Sequence, residues 1–186
     1  MPMKLEGSCQ CGGVEFTVDS NTPVPYQLCP CSICRKVGGY NGAVNLGAIT
    51  SSLDIKKGKE LIKYASPFST GTHHWILSFT ANIGATRKYS AIKDRGTKKE
   101  QKCTSERSFC SNCSTMLWNY DAEWPELIHP FASAIDTELP VPEEMVCILE
   151  GSKPEWVRWP EGKKVVVKQY HLSLEDWHRE KGLYVE

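Results

Sequence analysis

Seven of the nine cysteines lie in three tight groups, and this spacing constrains the fold more than any other feature of the sequence. The groups are Cys9-Gln-Cys11, Cys29-Pro-Cys31-Ser-Ile-Cys34 and Cys110-Ser-Asn-Cys113, while Cys103 and Cys147 stand alone. The first eight residues lack the apolar core of a signal peptide, which predicts a cytoplasmic protein. In that reducing compartment, grouped cysteines are more often metal ligands or catalytic thiols than disulfides, and an odd count fits complete pairing poorly.

The length and charge of the chain exclude several classes of protein. A length of 186 residues with 40% hydrophobic and 24% charged residues predicts one globular domain over residues 1–186. The 22 basic and 22 acidic side chains balance, which argues against a nucleic-acid partner because such binding needs a basic surface. No apolar run approaches the roughly 18 residues of a membrane span, so no membrane partner is expected.

Short β-type segments separated by turn residues predict a mainly β fold. Val14–Val18 alternates apolar and polar residues, as a half-buried strand does. One helix is expected near the C-terminus, over Leu174–Lys181, with Ser173 as its N-cap and Gly182 just after it. Further strands are expected at Ala43–Ile49, Leu61–Tyr64, Trp75–Phe79, Met116–Tyr120, Val146–Leu149 and Val165–Tyr170.

Charge is distributed unevenly along the chain despite the balanced total. Residues 87–107 hold eight Lys and Arg against three acidic residues, whereas residues 119–150 hold eight acidic residues and no Lys or Arg. Such runs are commonly solvated surfaces. The alternative is that the basic stretch attracts an anionic small molecule to a nearby site.

Two of the cysteine groups can combine into one closed metal site. Zinc binds four thiolates in a tetrahedron, and short cysteine pairs on tight turns supply two ligands each. Cys9 and Cys11 are followed by two glycines that let the backbone curl toward the sulfurs, and Cys110 and Cys113 form the second pair. These four cysteines therefore predict a structural zinc that ties the first strand to a hairpin about 100 residues later in the chain.

The middle group holds only three cysteines, Cys29, Cys31 and Cys34, within six residues. Three protein ligands and one open position are typical of a catalytic zinc. Zinc with three thiolates has a net charge of −1 and suits the exchange of a soft thiolate as its fourth ligand. The group could instead recruit Cys103 and form a second closed site, or be a cluster of ordinary buried thiols.

The three cysteine motifs, taken in order, resemble those of the glutathione-dependent formaldehyde-activating enzymes, a family that includes the centromere protein V domain. The matching segments are Gly7–Phe16, Cys29–Lys36 and Arg107–Cys113. With the strands around them they span about residues 7–160, which leaves a C-terminal strand and helix over residues 161–186.

The resemblance implies a β-tent fold of packed antiparallel sheets, two zinc ions and carbon–sulfur lyase activity. It implies that Cys9, Cys11, Cys110 and Cys113 hold the structural zinc and that Cys29, Cys31 and Cys34 hold the catalytic one. The sequence departs from the family at Pro30, where His is common, and at Ser114, where Gly is usual. The segment over residues 66–106 also looks longer than in typical members.

The open position suggests a thiol substrate, and the resemblance implies a zinc-dependent carbon–sulfur lyase of the S-(hydroxymethyl)glutathione synthase type, acting on glutathione with formaldehyde or a related electrophile. Arg35 and Lys36 could engage a carboxylate of such a peptide thiol, although surface charges without a role are common. His73 and His74 could shuttle protons, although packing or surface positions are more usual for histidines. The alternative function is a non-catalytic glutathione or thiol carrier, or a zinc-dependent interaction module.

Overall fold

The computed structural model describes residues 1–58, 86–170 and 172–186. Within them the chain is mainly β with two short helices, which confirms the expected fold class. The strands are β1 Met3–Ser8, β2 Glu15–Ser20, β3 Gln27–Cys29, β4 Ala43–Val44, β5 Ala48–Ile49, β6 Asp54–Lys57, β7 Thr86–Lys93, β8 Gln101–Cys110, β9 Met116–Tyr120, β10 Leu127–Pro130, β11 Met145–Cys147 and β12 Lys164–Val166, and the helices are α1 Ser32–Gly38 and α2 Leu174–Glu180.

The observed elements follow several of the expected ones closely. The strand expected at residues 116–120 is β9 itself, whereas the one expected at residues 43–49 divides into β4 and β5. Helix α2 begins after Ser173, whose hydroxyl accepts a hydrogen bond from the Asp176 N–H, so the expected N-cap is confirmed. The strands expected at 61–64 and 75–79 and the pair His73 and His74 lie outside the described residues. No described helix is both long and apolar enough to cross a membrane.

Two of the three sheets are antiparallel throughout. The three-stranded sheet has the order β1-β2-β6, and the five-stranded sheet has the order β5-β10-β9-β8-β7. Between them lies the larger apolar cluster, in which the Phe16 and Trp118 rings meet edge to face at 5.1 Å. This packing brings the turn between β1 and β2 close to the turn between β8 and β9.

The third sheet departs from the expected antiparallel arrangement. Its order is β12-β11-β3-β4, and β11 pairs in parallel with both β3 and β12. A smaller apolar cluster joins this sheet to α2, where the Tyr26 and Trp177 rings stack at 3.5 Å. The strand that ends at Cys29 therefore lies between β4, close in sequence, and β11, far along the chain.

Candidate metal centres and the adjoining cleft

The turn between β1 and β2 presents Cys9 and Cys11 together. The Cys9 N–H donates to the Val14 carbonyl at 3.0 Å, and the Val14 N–H donates to the Cys9 sulfur at 3.1 Å. Gly12 has a φ of 64°, a left-handed conformation that glycine adopts without steric cost. A Cβ on Gly13 would lie 3.3 Å from the Cys11 sulfur, so the backbone passes close to the sulfurs, as expected from the sequence.

The turn between β8 and β9 shares one hydrogen bond with the first turn, from the first cysteine to the carbonyl five residues later, but its left-handed residue lies one position further along. The Cys110 N–H donates to the Thr115 carbonyl at 2.9 Å, and the Ser114 N–H donates to the Cys110 carbonyl at 2.8 Å. Ser114 has a φ of 63°, so it adopts the left-handed conformation for which glycine is the favoured residue. Ser114 therefore stands, with a left-handed backbone, at the position where the resemblance implies glycine.

These two turns bring the four-cysteine cluster, Cys9, Cys11, Cys110 and Cys113, into one place. All four sulfurs lie within 4.8 Å of one another. The Cys11 sulfur is 3.5 Å from that of Cys9 and 3.8 Å from that of Cys110. Sulfurs bound about 2.3 Å from a tetrahedral zinc lie about 3.8 Å apart, so this donor set fits zinc. The Gln10 N–H also donates to the Thr115 hydroxyl at 3.1 Å and joins the turns directly.

The three-cysteine cluster, Cys29, Cys31 and Cys34, is formed where β3 leads into α1. Cys29 ends the strand, Cys31 is the N-cap of α1, and Cys34 lies in its first turn. The Cys34 N–H approaches the Cys31 sulfur at 3.4 Å. The three sulfurs lie within 4.8 Å of one another, so the cluster could also hold a metal ion.

Two contacts hold the backbone of this cluster. A Cβ on Gly42 would lie 2.0 Å from the Cys29 carbonyl oxygen, and φ at Gly42 is 100°, so only glycine fits against the cysteine loop. Arg35 Nη1 donates to the Pro30 carbonyl and, at 2.8 Å, to the Ser152 carbonyl. Arg35 therefore ties the loop to the segment after β11, a positioning role that differs from the carboxylate contact expected for it.

Hydrogen bonding within the three-cysteine cluster favours one thiolate. Contacts from the Cys29 and Cys34 thiols lower the pKa of Cys31 to about 2, and the N–H groups of Cys34 and Ile33 act in the same direction. The contact with Cys31 raises the pKa of Cys29 to about 11. Contacts with Cys29 and Cys31, together with burial, raise the pKa of Cys34. Cys31 is thus the first of the three to carry negative charge, as suits a metal ligand.

No fourth ligand joins the three-cysteine cluster among the described residues. Neither Cys103, on β8, nor Cys147, on β11, belongs to the group of sulfurs within 4.8 Å. Cys147 is fully buried, and burial raises the pKa of its thiol. The alternative in which Cys103 closes the site therefore has no support in the described part of the chain.

A cleft of about 320 Å³ opens between α1 and β7; no cysteine lines it, but α1 contributes residues from between Cys31 and Cys34. Ser32 and Ile33, the two residues between Cys31 and Cys34, line one wall. Lys36 and Arg95 also line the cleft, and neither forms an ion pair with a described residue. Arg95, from the turn after β7, was not singled out from the sequence, although the excess of basic residues over 87–107 was the signal that could have found it.

Comparison with known proteins agrees with the resemblance. The family model described as "Glutathione-dependent formaldehyde-activating enzyme" matches residues 4–77. A Halomonas elongata protein, whose name provisionally describes it as a glutathione-dependent formaldehyde-activating enzyme, is 38% identical over 184 residues, which cover 97% of this chain and 98% of that protein. The chain belongs to this family. Among solved structures, the chain is similar to a Rhodobacter sphaeroides protein, with 22% identity and a TM-score of 0.43. The alignment covers 74% of the present chain and 92% of the Rhodobacter chain.

Proposed function

We propose that the chain is a zinc-dependent carbon–sulfur lyase of the S-(hydroxymethyl)glutathione synthase type. Its substrates would be glutathione and formaldehyde, or a related thiol and electrophile. The observation that carries the proposal is the three-cysteine cluster, whose sulfurs converge without a fourth described ligand beside a cleft that bears two cations. Family membership supports the same substrates.

The two cysteine clusters would have different roles. Cys9, Cys11, Cys110 and Cys113 would hold a structural zinc, since four thiolates leave no position for a substrate. Cys29, Cys31 and Cys34 would hold a second zinc, which when bound supplies an open coordination position that favours the thiolate form of a substrate thiol. The low pKa of Cys31 supports this role, because a ligand that is already deprotonated need not lose a proton when metal binds.

The proposed reaction is an addition without a change in redox state. The thiolate sulfur bonds to the carbonyl carbon, and the carbon–oxygen π electrons move to the oxygen. That oxygen takes up one proton, which balances the proton that the thiol released. The product is a hemithioacetal, the S-hydroxymethyl adduct of the thiol. In the reverse direction the carbon–sulfur bond breaks and the aldehyde is released.

The chain itself would bind and orient the thiol. Lys36 and Arg95 would hold a carboxylate of the peptide thiol in the cleft, because carboxylates pair with ammonium and guanidinium groups. Arg35 would keep the cysteine loop fixed against the Ser152 carbonyl. Holding the thiol next to the aldehyde site provides acceleration through proximity.

We further propose that residues 1–186 form one cytoplasmic domain without a nucleic-acid or membrane partner. The balance of 22 basic and 22 acidic residues supports the absence of nucleic-acid binding. The close approach of the β1–β2 and β8–β9 turns supports a single folding unit.

The test is metal analysis and turnover on the Cys31→Ser variant, with Cys103→Ser as the matched control. We expect about two zinc ions in the native protein, about one in Cys31→Ser and about two in Cys103→Ser. Turnover of glutathione with formaldehyde should fall by a factor of about 100 or more in Cys31→Ser and stay unchanged in the control. Circular dichroism should show both variants folded.

Two outcomes would contradict the lyase proposal. Full activity in a folded Cys31→Ser variant would remove the cluster from the mechanism. Saturable binding of glutathione by the native zinc protein, measured by calorimetry, with no turnover of formaldehyde would indicate the thiol carrier instead.

A further inference from the structure

A second cavity, of about 410 Å³, lies away from both cysteine clusters. It opens between the β5–β10 edge of the five-stranded sheet and the start of α2, and no cysteine lines it. Its volume falls within the range of small-molecule sites. We call it the aromatic cavity, because its lining includes Trp124, Tyr170 and Tyr184.

Two of the three aromatic residues that line the cavity, Trp124 and Tyr170, are about half exposed to solvent. Trp124 is 53% exposed and Tyr170 is 51% exposed. The third ring, Tyr184, already has the Arg179 guanidinium 3.6 Å from its centre, so one of its faces is covered. Exposed rings that border a concave apolar site are typical of ligand binding, since their burial by a ligand is favourable.

His129, which lines the aromatic cavity, has a ring nitrogen that a ligand could engage. The Nδ1 atom of His129 lies 3.2 Å from the carbonyl oxygen of Leu46. Since a carbonyl can only accept, Nδ1 carries the proton and Nε2 is an acceptor. Among the described residues Nε2 has no hydrogen-bond partner. By contrast, the hydroxyls of Thr22 and Ser173 are engaged, with Gly47 and Asp176.

The charges of the cavity select against acidic ligands. Its one charged lining residue in the described chain is Glu175, which pairs with Arg179 at 2.8 Å. No Lys or Arg lines it, whereas the cleft beside α1 has two. An anion such as a peptide carboxylate would therefore lose its hydration without a cation to replace it. The substrate of the cysteine site does not fit the chemistry of this cavity.

We propose that the aromatic cavity binds a small neutral aromatic molecule with one hydroxyl. The ring would lie against Trp124 and Tyr170, and the hydroxyl would donate to Nε2 of His129. This site is separate from the cysteine clusters and does not depend on the function proposed for them.

The test is calorimetric titration of the zinc-loaded protein with 2-naphthol, 2-methoxynaphthalene and 2-naphthoate. We expect 2-naphthol to bind with a dissociation constant below about 100 μM. The methyl ether should bind at least about fivefold more weakly because it cannot donate to His129. The carboxylate should bind at least about tenfold more weakly because the cavity lacks a cation.

Variants make the assignment specific. Trp124→Ala should weaken 2-naphthol binding about tenfold, whereas Trp156→Ala, at a tryptophan that is 62% exposed and lies outside the cavity, should not change it. His129→Leu should abolish the preference for 2-naphthol over its methyl ether. The proposal is overturned if calorimetry detects no binding of 2-naphthol at about 1 mM. It is also overturned if 2-naphthoate binds as tightly as 2-naphthol, or if Trp124→Ala binds 2-naphthol as tightly as the native protein.

Discussion

At the scale of single residues, Ser114 is in a backbone conformation that a side chain disfavours. Its φ of 63° places it in the left-handed region, which costs a non-glycine residue about 1 kcal/mol or more. Replacing it with glycine removes that cost but adds backbone entropy to the unfolded chain. We expect Ser114→Gly to raise the free energy of unfolding by roughly 0.5 kcal/mol, measured by urea denaturation with zinc bound.

The control for Ser114 is Lys4→Gly, at an exposed position of strand β1 that pairs in regular antiparallel register with Asp19. The backbone is extended there, so a glycine only adds conformational entropy to the unfolded chain. This variant should therefore have a free energy of unfolding lower by about 0.5–1 kcal/mol. If both substitutions shift the free energy of unfolding in the same direction, the left-handed conformation of Ser114 does not carry the cost assigned to it.

Lys36 and Arg95 provide a second prediction at this scale. If they bind a substrate carboxylate, they do so equally before and during the reaction, because the carboxylate does not change charge. Lys36→Gln and Arg95→Gln should each raise KM for glutathione about tenfold with kcat nearly unchanged. Lys99→Gln, an exposed lysine of the same basic stretch, should leave KM unchanged. A fall in kcat without a change in KM would contradict a purely binding role.

At the scale of elements, α2 depends on a buried neutral histidine. His178 is fully buried; its Nε2 accepts from the Val24 N–H at 3.1 Å, and its Nδ1 donates to the Leu174 carbonyl at 2.7 Å. Both nitrogens are occupied, so protonation would break the bond to Val24. Burial accordingly lowers the pKa of His178 below its usual value.

The pH dependence follows from this lowered pKa. Below about pH 6.5 the unfolded chain binds a proton at His178 that the folded chain does not, so the free energy of unfolding falls as pH falls. His178 should contribute up to about 1.4 kcal/mol per pH unit to that slope. We expect His178→Gln to have a smaller slope between pH 7 and pH 5, measured by urea denaturation. Partly buried His129, whose pKa desolvation also lowers, is present in both proteins and retains part of the slope; equal slopes would contradict the role of His178.

Two of the elements that sequence patterns missed, α1 and β8, carry weak apolar patterns. Helix α1 has only seven residues and buries none of them fully, so its single apolar pair, Ile33 and Val37, is too little to predict a helix. Strand β8 is polar over most of its length, with Lys102, Thr104 and Glu106 interspersed, and its pairing with β7 and β9 comes from the backbone. In contrast, β9 and α2 combine apolar patterns with clear end signals, and they were predicted nearly to the residue.

At the scale of the whole molecule, the four-cysteine cluster joins segments that are far apart in the chain. The cluster connects the β1–β2 turn with the β8–β9 turn, so a metal ion bound there would contribute directly to folding. We expect Cys110→Ser to lower the free energy of unfolding by about 4 kcal/mol or more, whereas Cys31→Ser lowers it far less. Thermal denaturation with and without a zinc chelator should show the same difference: the chelator lowers the melting temperature of Cys31→Ser strongly but has little further effect on Cys110→Ser.

The sequence located both cysteine clusters because ligand spacing is a local property. Cys29, Cys31 and Cys34 are neighbours in the chain, and the other two pairs each lie on one turn. Neither the meeting of Lys36 with Arg95 nor the aromatic cavity follows from local spacing, since each depends on how distant elements pack. The binding of zinc by these cysteines stays a prediction.

The parallel pairing of β3 with β11 sets the order in which the three-cysteine site can be built on the ribosome. Strand β11 and the Ser152 carbonyl that holds Arg35 are synthesised about 120 residues after Cys29. At roughly 5–20 residues per second, this gap lasts on the order of ten seconds. During that interval the thiols of residues 29–34 are without their final backbone support, so the site can be completed only after Ser152 has been synthesised.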